Sequence, residues 1–473
     1  MSFTRAVAHN TAIQTVGRFV SITIGLFAVA LLTRGLGQEG YGQYTTVLSI
    51  LGFIAVVADL GLYLVLVREM ATKEHSDEYI VGNILGLRLA AASVLLVAGA
   101  SAAMLLHYPM VVKMAIWAGT LSYFASAGVQ LLTGVYQTKL LMVRVVLADV
   151  IGRVFFFSLT WYGLAHHWGL VALVGALVLG STVNFSVLLL GLRGVVRVKL
   201  AYDRAYWRVI FFQTLPIAIS VILNVMYFRL DTIFLSLFRS QSEVGLYGAA
   251  YKILEVLVSF PTLFIGLVLP VLSATAINDM DRFRWVFQRA FDLLALAAFP
   301  LVVGGIILAR PLMVFVSGEA FASSAGIFRL LLVAVGCLYF AALSGHSIIA
   351  VQKQRSMVKV YGAVAFVGIV AYLLLIPRFS TTGAAAGTIL TEALTMTCGY
   401  VIVLRTAAYR LRLTGLARAA LATAVMALAL WLLRSLVWYV QLSSAVIVYA
   451  GMVLAVRGVP LNELRKILSR NPA

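Results

Sequence analysis

Charged residues are scarce in this chain. They make up 11% of its 473 residues, whereas a soluble protein carries about 25%. Hydrophobic residues make up 62%, and the mean hydropathy is +1.02. Apolar runs long enough to cross a bilayer recur from one end of the sequence to the other. The composition therefore excludes a soluble globular protein and predicts a polytopic helical membrane protein.

Cysteine is nearly absent as well. The two cysteines, Cys337 and Cys398, lie inside apolar runs, so we interpret them as small core residues rather than a disulfide framework or a metal site. The sequence also lacks a nucleophile–base arrangement, a P-loop and any connection long enough to form a soluble domain. We therefore predict a protein that is not an enzyme and that uses no cofactor or metal.

Acidic residues are few: 17 Asp and Glu stand against 36 Lys and Arg, for a net charge of +19. Fourteen apolar spans are predicted near 12–33, 44–67, 82–106, 111–136, 145–165, 169–192, 209–228, 244–272, 287–309, 325–351, 356–377, 383–404, 415–437 and 441–456. With the N-terminus inside, 24 of the 36 basic residues fall in inner loops and tails or at the inner ends of spans, and eight fall in outer loops or at the outer ends. The positive-inside rule explains this asymmetry, places both termini in the cytoplasm and makes a nucleic-acid partner unnecessary.

The chain repeats itself. The stretch TRGLGQEGYGQYTTVLSI (33–50) has a counterpart in RSQSEVGLYGAAYKILEV (239–256), where Tyr41-Gly42 matches Tyr247-Gly248. Six helices separate the copies, so they share one topology and are related by an axis along the membrane normal. We predict an N-terminal lobe (1–192), a cytoplasmic linker (193–208), a C-terminal lobe (209–410), and two further helices with a cytoplasmic tail (411–473).

The first helix carries a polar face. Its polar and small residues recur at steps of four, four, three and four: Asn10, Gln14, Arg18, Ser21 and Gly25. An arginine in hydrocarbon is unfavourable by about 2.5–3.5 kcal/mol on insertion scales, so it usually faces a cavity or a partner. We predict that Gln14 and Arg18 face a polar cavity. The alternative is that Arg18 snorkels to the cytoplasmic interface.

The seventh helix has the same design. One face carries Gln213, Ser220, Asn224, Tyr227 and Asp231, and Pro216 lies inside the helix. A polar stripe of this length predicts contact with the same cavity, with Asn224 among the binding residues. Interhelical hydrogen bonding is the alternative.

Other charged residues are embedded in the predicted helices. Arg153 and Lys252 each have an acid one turn away, Asp149 and Glu255, which could neutralise them. Arg88 has no acid within a turn, and neither does Arg18, so these two are predicted to be free cations of the cavity.

Three embedded acids are candidates for ion coupling: Asp59, Asp231 and Glu392. Glu392 lies among three threonines, and such an oxygen-rich patch could hold a proton or Na⁺. A satisfied polar contact is the alternative.

Two glycine patterns have structural explanations. Gly35, Gly37 and Gly40 match the G-x-G-x-x-G fingerprint but follow a membrane helix rather than a strand, so we predict a tight turn and no nucleotide site. Gly82 and Gly86 are predicted to let two helices pack closely.

Three stretches carry a resemblance to a known family. They are Asn10 to Gly42 with its TRGLG and GYG motifs, Asp59-Leu60-Gly61-Leu62 with Arg68-Glu69, and Arg229-Leu230-Asp231 with VGLYGAAYK (244–252). They resemble the polysaccharide-transport (Wzx-type) flippases of the multidrug/oligosaccharidyl-lipid/polysaccharide (MOP) superfamily. The resemblance implies an all-α fold of about 14 transmembrane helices, with two six-helix lobes that open alternately to each side and two C-terminal helices.

By the same resemblance, the substrate is a polyprenyl-pyrophosphate-linked oligosaccharide. It is moved across the cell membrane for surface polysaccharides such as the O-antigen of lipopolysaccharide. Partners would be membrane lipids and the polymerase and glycosyltransferases of the pathway. Arg18, Arg88, Arg153 and Lys252 could bind the pyrophosphate.

Two rival functions remain open. A Na⁺- or H⁺-coupled multidrug exporter of the same superfamily typically has twelve helices and an acidic cavity, so the extra helix pair and the arginines argue against it. A membrane-embedded polymerase or ligase usually needs a sizeable outer loop, and the outer loops here are short.

Overall fold

The described part of the chain is helical. The computed structural model describes residues 3–59, 61–72 and 74–456, without the side chains of 3–9, 11–12, 216–217 and 219–229. The helices are α1 (Phe3–Asp59), α2 (Leu62–Thr72), α3 (Asp77–Met104), α4 (Met110–Thr138), α5 (Met142–Ala165), α6 (Leu170–Gly191), α7 (Arg204–Phe238), α8 (Gln241–Asn278), α9 (Met280–Ile307), α10 (Ala309–Ser317), α11 (Ser324–Ala350), α12 (Gln354–Thr406), α13 (Thr414–Leu432) and α14 (Trp438–Ala455). A 3₁₀ turn, Glu319–Phe321, precedes α11. The predicted all-α fold is confirmed.

Helix α1 contains two membrane segments joined at Gly37. Gly17 lies against Val146, and Gly35 lies against Leu164, so the segment before Gly37 runs parallel to α5. The segment after Gly37 runs parallel to α4, because Leu48 and Tyr63 meet Tyr123 and Gln137 in the same order. Helices α4 and α5 are consecutive crossings of opposite direction, so the chain reverses at Gly37. Its φ of +66° is an angle that glycine adopts without strain.

The second crossing is itself interrupted. Helix α1 ends at Asp59 and α2 begins at Leu62, with Gly61 at φ +68° between them. A glycine in the left-handed region just beyond the last helical residue is a common way to end a helix. The Asp59–Leu62 motif therefore encodes a helix break rather than a continuous span.

Helix α12 is a second merged pair. Its two segments meet at Ser380 (φ +52°), and both lie beside α11, where Gly345 is near Tyr361 and Ser344 is near Gly399. With α1 and α12 each counted as two segments and α2 as the end of the second crossing, every helix except the short α10 matches one of the fourteen predicted spans. Ten of the described helical stretches are long and apolar enough to cross a membrane, with α1–α2 and α12 each counted once.

The Cα positions form two compact units. The first comprises the chain up to Gly248 with Val316–Ala320 and Tyr372–Ala384; the second comprises Ala249–Phe315, Phe321–Ala371 and the chain from Ala385 onward. Helix α7 thus belongs to the first unit, so the units do not divide at residues 193–208. The lobe boundaries at 192 and 209 stay a prediction, as does the cytoplasmic tail, which lies beyond the described residues.

In each unit, one interhelical linker is held by a hydrogen bond from its backbone to a side chain on a helix. In the first unit, the Asn83 side chain accepts a hydrogen bond from the Asp203 backbone N–H (2.8 Å). In the second, Gln288 accepts one from the Arg412 backbone N–H (2.9 Å). Asn83 and Gln288 lie on the third helix of each sequence repeat, and each linker follows the sixth. The two hydrogen bonds thus occupy equivalent positions in the two repeats. They support the internal repeat independently of the sequence matches between its copies.

Gly82 and Gly86 lie against the backbone of the linker in the first unit. A Cβ on Gly82 would lie 2.2 Å from the Lys199 carbonyl oxygen, and one on Gly86 would lie 2.8 Å from the Ala201 carbonyl oxygen. The expectation that the pair brings two helices together holds only at Gly86, where a Cβ would also lie 3.1 Å from the Trp207 side chain of α7. At both positions the missing side chain leaves room for the linker backbone that crosses α3.

Helices α13 and α14 extend the second unit. Leu308, Met426 and Leu430 form a small core with Ala445, and the Tyr449 hydroxyl donates to the Leu296 carbonyl (2.6 Å). The predicted C-terminal pair thus packs on α9.

Candidate functional site

Arg88 is a buried cation that is already paired. Only 2% of its side chain is exposed, and it forms an ion pair with Asp59 at the end of α1. The guanidinium also donates to the Ala127 carbonyl (2.7 Å), to the Asp59 carbonyl (3.3 Å) and to the Gln130 side-chain oxygen. The prediction of a free cation at Arg88 is therefore wrong, because its acid comes from a different helix. Asp59, predicted as an ion-coupling residue, is that partner.

A pocket of about 440 Å³ adjoins this pair. It is lined by the last turns of α1 up to Asp59 and by residues of α3 and α4, among them the small residues Gly52, Ala55 and Ala92. Tyr123, Ser126 and Gln130 contribute polar groups. The pocket lies within the first unit and opens beside the helix break.

Much of the polar face of the first helix packs on α5. Asn10 accepts a hydrogen bond from the Met142 backbone N–H (3.1 Å) at the start of α5. Ser21 donates to the Asp149 carboxylate, and a Cβ on Gly17 would overlap Val146 at 2.3 Å. For these residues the observed role is contact between helices.

Arg18 and Gln14 remain on the exposed side of the same helix. No ion pair among the described residues includes Arg18. Arg153 is 45% exposed and pairs with Asp149 on its own helix (2.9 Å). Its guanidinium lies 3.9 Å from where a Cβ of Gly25 would be. Arg18 and Arg153 are therefore the predicted binding cations of the first unit that remain accessible.

On α7, Asp231 is buried and hydrogen-bonded. Only 1% of the residue is exposed, and its carboxylate accepts from the Tyr247 hydroxyl on α8 (2.7 Å) and from the Thr232 hydroxyl (3.1 Å). These contacts tie α7 to α8. The side chains of Asn224, Ser220 and Tyr227 lie outside the described residues.

In the second unit, Lys252 pairs with Glu255 one turn away (2.7 Å), and the two side chains are 43% and 28% exposed. Glu392 is 1% exposed among the buried Thr388, Thr391 and Thr395. The hydroxyls of Thr391 and Thr395 donate to carbonyls of their own helix. No group of three or more His, Cys, Asp or Glu side chains that could hold a metal occurs in the part of the chain described.

Two repeated turns interlock within the first unit. We name residues 38–46 and 241–248 the turn cluster. A Cβ on Gly42 would lie 1.6 Å from the Gln241 carbonyl oxygen, and one on Gly245 would lie 2.0 Å from the Gln38 carbonyl oxygen. The contact is reciprocal, and both sides read Q-x-x-x-G. Only glycine allows two backbones to approach so closely.

Side chains close the same cluster. Ser242 donates to the Gln38 side-chain oxygen (2.7 Å), and Thr46 donates to the Gln241 side chain (2.8 Å). In the sequence repeat Tyr41-Gly42 corresponds to Tyr247-Gly248, whereas the two backbones approach each other at Gly42 and Gly245, and Gly248 lies against the Thr45 side chain. Both turns were predicted from the sequence but their contact was not, because the spacing of glycines does not indicate which backbone approaches them.

Further segments support the turn cluster. Arg239, just before the second turn, donates to the Pro377 carbonyl (2.6 Å). Ser380 donates to Glu243, and Gln38 donates to the Ala320 carbonyl. The segments Val316–Ala320 and Tyr372–Ala384 belong to the first unit, and these bonds are among their contacts with it.

The sequence profile of a family described as "Polysaccharide biosynthesis protein" matches residues 7–276, more than half of the chain. The chain belongs to this family. It is also 26% identical over 184 residues to "Probable flippase AglR" of Haloferax volcanii. That match covers 38% of this chain and 37% of the relative, so it spans little more than a third of the relative's length.

Solved structures identify the fold. The lipid II flippase MurJ, in an inward closed conformation, superposes with a TM-score of 0.79 at 13% identity and covers 94% of this chain and 98% of its own. An inward-facing MATE-family multidrug resistance transporter of the MOP superfamily gives 0.65 at 16% identity, covering 82% of this chain and 93% of its own. The family member described here is therefore a multi-pass membrane protein whose fold is similar to that of these two transporters.

Proposed function

We propose that this protein is a flippase that moves a polyprenyl-pyrophosphate-linked oligosaccharide from the cytoplasmic to the outer leaflet by alternating access. The family match over residues 7–276 carries the proposal. Its setting would be the cell membrane, with both termini cytoplasmic. Its pathway would be cell-surface polysaccharide synthesis, with O-antigen of lipopolysaccharide as one candidate product. The polymerase and glycosyltransferases of that pathway would be its partners.

The accessible cations support an anionic substrate. Arg18 is exposed, and Arg153 and Lys252 are partly exposed beside one carboxylate each. A planar guanidinium binds phosphate oxygens through two parallel hydrogen bonds. We assign the first contact to Arg18, with Gln14 beside it, and supporting contacts to Arg153, Lys252 and Asn224. Arg88 contributes only indirectly, because its donors are directed at protein oxygens.

The membrane potential supplies a driving force for this direction. An inside-negative potential favours outward movement of an anion by about 2.3 kcal/mol per charge per 100 mV. If Arg18 and its neighbours neutralise the pyrophosphate, the return of the empty, positively charged protein becomes the voltage-driven step. Asp231 and Glu392 stay candidates for ion coupling in either case.

A multidrug exporter is the second candidate. The likeness to a MATE-family transporter and the buried acids Asp231 and Glu392 favour it. An exporter of cationic drugs would depend on these acids rather than on Arg18.

Proteoliposomes distinguish the two. We expect wild-type protein and Arg18→Lys to flip a lipid-pyrophosphate-linked oligosaccharide, and Arg18→Ala to lose most of this activity. Arg434→Ala, which removes an exposed arginine on the second unit, is the matched control and should retain it. Absence of flipping by wild type across several glycans under an imposed potential would reject the proposal. Extrusion of a cationic dye instead would establish the exporter.

A further inference from the structure

The break in the second crossing creates a local excess of oxygen acceptors. The last carbonyls of a helix have no partner within it, and they form the negative end of its dipole. At the end of α1 the Asp59 carbonyl and the Asp59 carboxylate both contact Arg88, within a membrane-spanning segment. The surrounding hydrocarbon offers no hydrogen-bond donor, so a group of the protein or water in a polar pocket must satisfy them.

Arg88 supplies that group from another helix. Its guanidinium contacts four oxygens: the Asp59 carbonyl, the Asp59 carboxylate, the Ala127 carbonyl and the Gln130 side chain. Two of the four are main-chain carbonyls, one belongs to a carboxylate and one to an amide. Helices α1 and α4 thus provide the oxygens, and α3 provides the charge.

This oxygen set is of the kind that binds a monovalent cation. Hard cations prefer carboxylate and carbonyl oxygens, and helix breaks in transporters place such oxygens around coupling ions. We propose that residues 59, 127 and 130 form a monovalent-cation site at the break of the second crossing, and that the Arg88 guanidinium fills it permanently as a tethered cation. No dissociable ion is then needed at this position.

The tethered cation accounts for the arginine better than substrate binding does. The side chain is only 2% exposed and its charge is matched by Asp59. A phosphate could bind Arg88 only by displacing a carboxylate that would then lie unpaired within the membrane, which is strongly unfavourable. The inference concerns the site itself and does not rest on the proposed substrate.

The adjoining pocket makes the site testable by chemical rescue. Truncation of Arg88 leaves the oxygens facing a space that already measures about 440 Å³, so a small soluble cation can enter. We therefore expect millimolar guanidinium or methylguanidinium chloride to raise the Tm of Arg88→Ala in nanodiscs by several degrees, relative to choline chloride. Wild type and Arg153→Ala, whose lost cation was exposed, should show no such rise.

The result that overturns the proposal is a folded Arg88→Ala protein whose Tm responds to none of guanidinium, methylguanidinium, Na⁺ or K⁺. A second pair of variants covers the case in which Arg88→Ala does not fold. A cation site requires Arg88→Lys to be more stable than Arg88→Gln, measured as Tm or as the folded fraction extracted in mild detergent. Equal stability, or a more stable glutamine variant, would contradict it. These readouts are independent of flipping, so loss of the proposed function would leave them intact.

Discussion

Arg88 and Arg153 are both arginines within membrane helices of the same unit, and both pair with an aspartate. Arg88 is 2% exposed and reaches Asp59 on another helix, whereas Arg153 is 45% exposed and reaches Asp149 one turn earlier on its own helix. The first pair joins three helices through its additional hydrogen bonds. The second is mainly local, although Ser21 also donates to Asp149.

The difference in burial between Arg88 and Arg153 distinguishes a structural role of an intramembrane charge from a binding role. A pair buried across helices holds the fold together, and its donors are no longer available to a ligand. A pair within one helix that is exposed to water contributes little to stability and leaves the arginine accessible. Of the two, Arg153 is therefore the better candidate for substrate contact.

The largest effect is expected from Arg88→Ala. Removal of one partner of a buried ion pair leaves the other charge uncompensated, which typically destabilises a protein by about 3–5 kcal/mol. We expect a large drop in Tm in a buffer without guanidinium, measured in nanodiscs by intrinsic fluorescence. Arg153→Ala serves as the control, and equal losses in the two variants would remove the distinction between the pairs.

The second largest effect is expected from Gly245→Ala in the turn cluster. This contact also joins distant segments but without charge, and the new methyl would lie 2.0 Å from the Gln38 carbonyl oxygen. Overpacking of this kind typically costs about 1–3 kcal/mol, which Tm would report. Gly175→Ala, where no atom lies within 4 Å of the added carbon, is the matched control. A Gly245→Ala protein with the Tm of wild type would mean that the two turns do not pack closely at Gly245.

A smaller effect is expected from Arg153→Ala. Same-helix pairs at this spacing contribute about 0.3–0.5 kcal/mol, so the Tm should hardly change. If Arg153 contacts the substrate, flipping should fall while stability is retained. A loss of stability comparable to that of Arg88→Ala would show instead that Arg153 is structural.

The smallest effect is expected at Asp203, which joins the linker to α3 outside the membrane. A hydrogen bond from the Tyr79 hydroxyl is the main cause that holds the pKa of Asp203 below its ordinary value, with help from the backbone N–H of Tyr206. Because the folded-state pKa is lowered, the stabilisation is present above the unfolded pKa of about 3.9. It is lost as the pH falls through the folded value.

Asp203→Asn should accordingly have a slightly lower Tm than wild type at pH 7. The two Tm values should converge as the pH is lowered below about 4. Thermal melts of both proteins between pH 7 and pH values below about 4 would test whether the difference in Tm shrinks in acid. A difference in Tm that grows as the pH is lowered would contradict the expected role of the Asp203 carboxylate.

Much of the fold follows from residue patterns that act locally. Apolar runs of bilayer length specify the crossings, because only helices satisfy their own backbone in lipid. Glycines predicted the turn at Gly37, and charges one turn apart predicted both the Asp149–Arg153 and the Lys252–Glu255 pairs. Such interactions are readable because helical geometry fixes which neighbours meet. The break before Gly61 was not predicted, because it lies inside the apolar span 44–67.

Contacts between distant segments were decided by the tertiary structure. The Asp59 partner of Arg88, the linker that passes over Gly82 and the reciprocal approach of Gly42 and Gly245 all join residues with no fixed sequence spacing. Their positions depend on how α1, α3, α4, α7 and α8 pack, and packing depends on the shapes of all the helices together. The sequence by itself determined which segments span the membrane and where charges stand along them, whereas only the tertiary structure decided which of those charges are buried against a partner and which remain accessible.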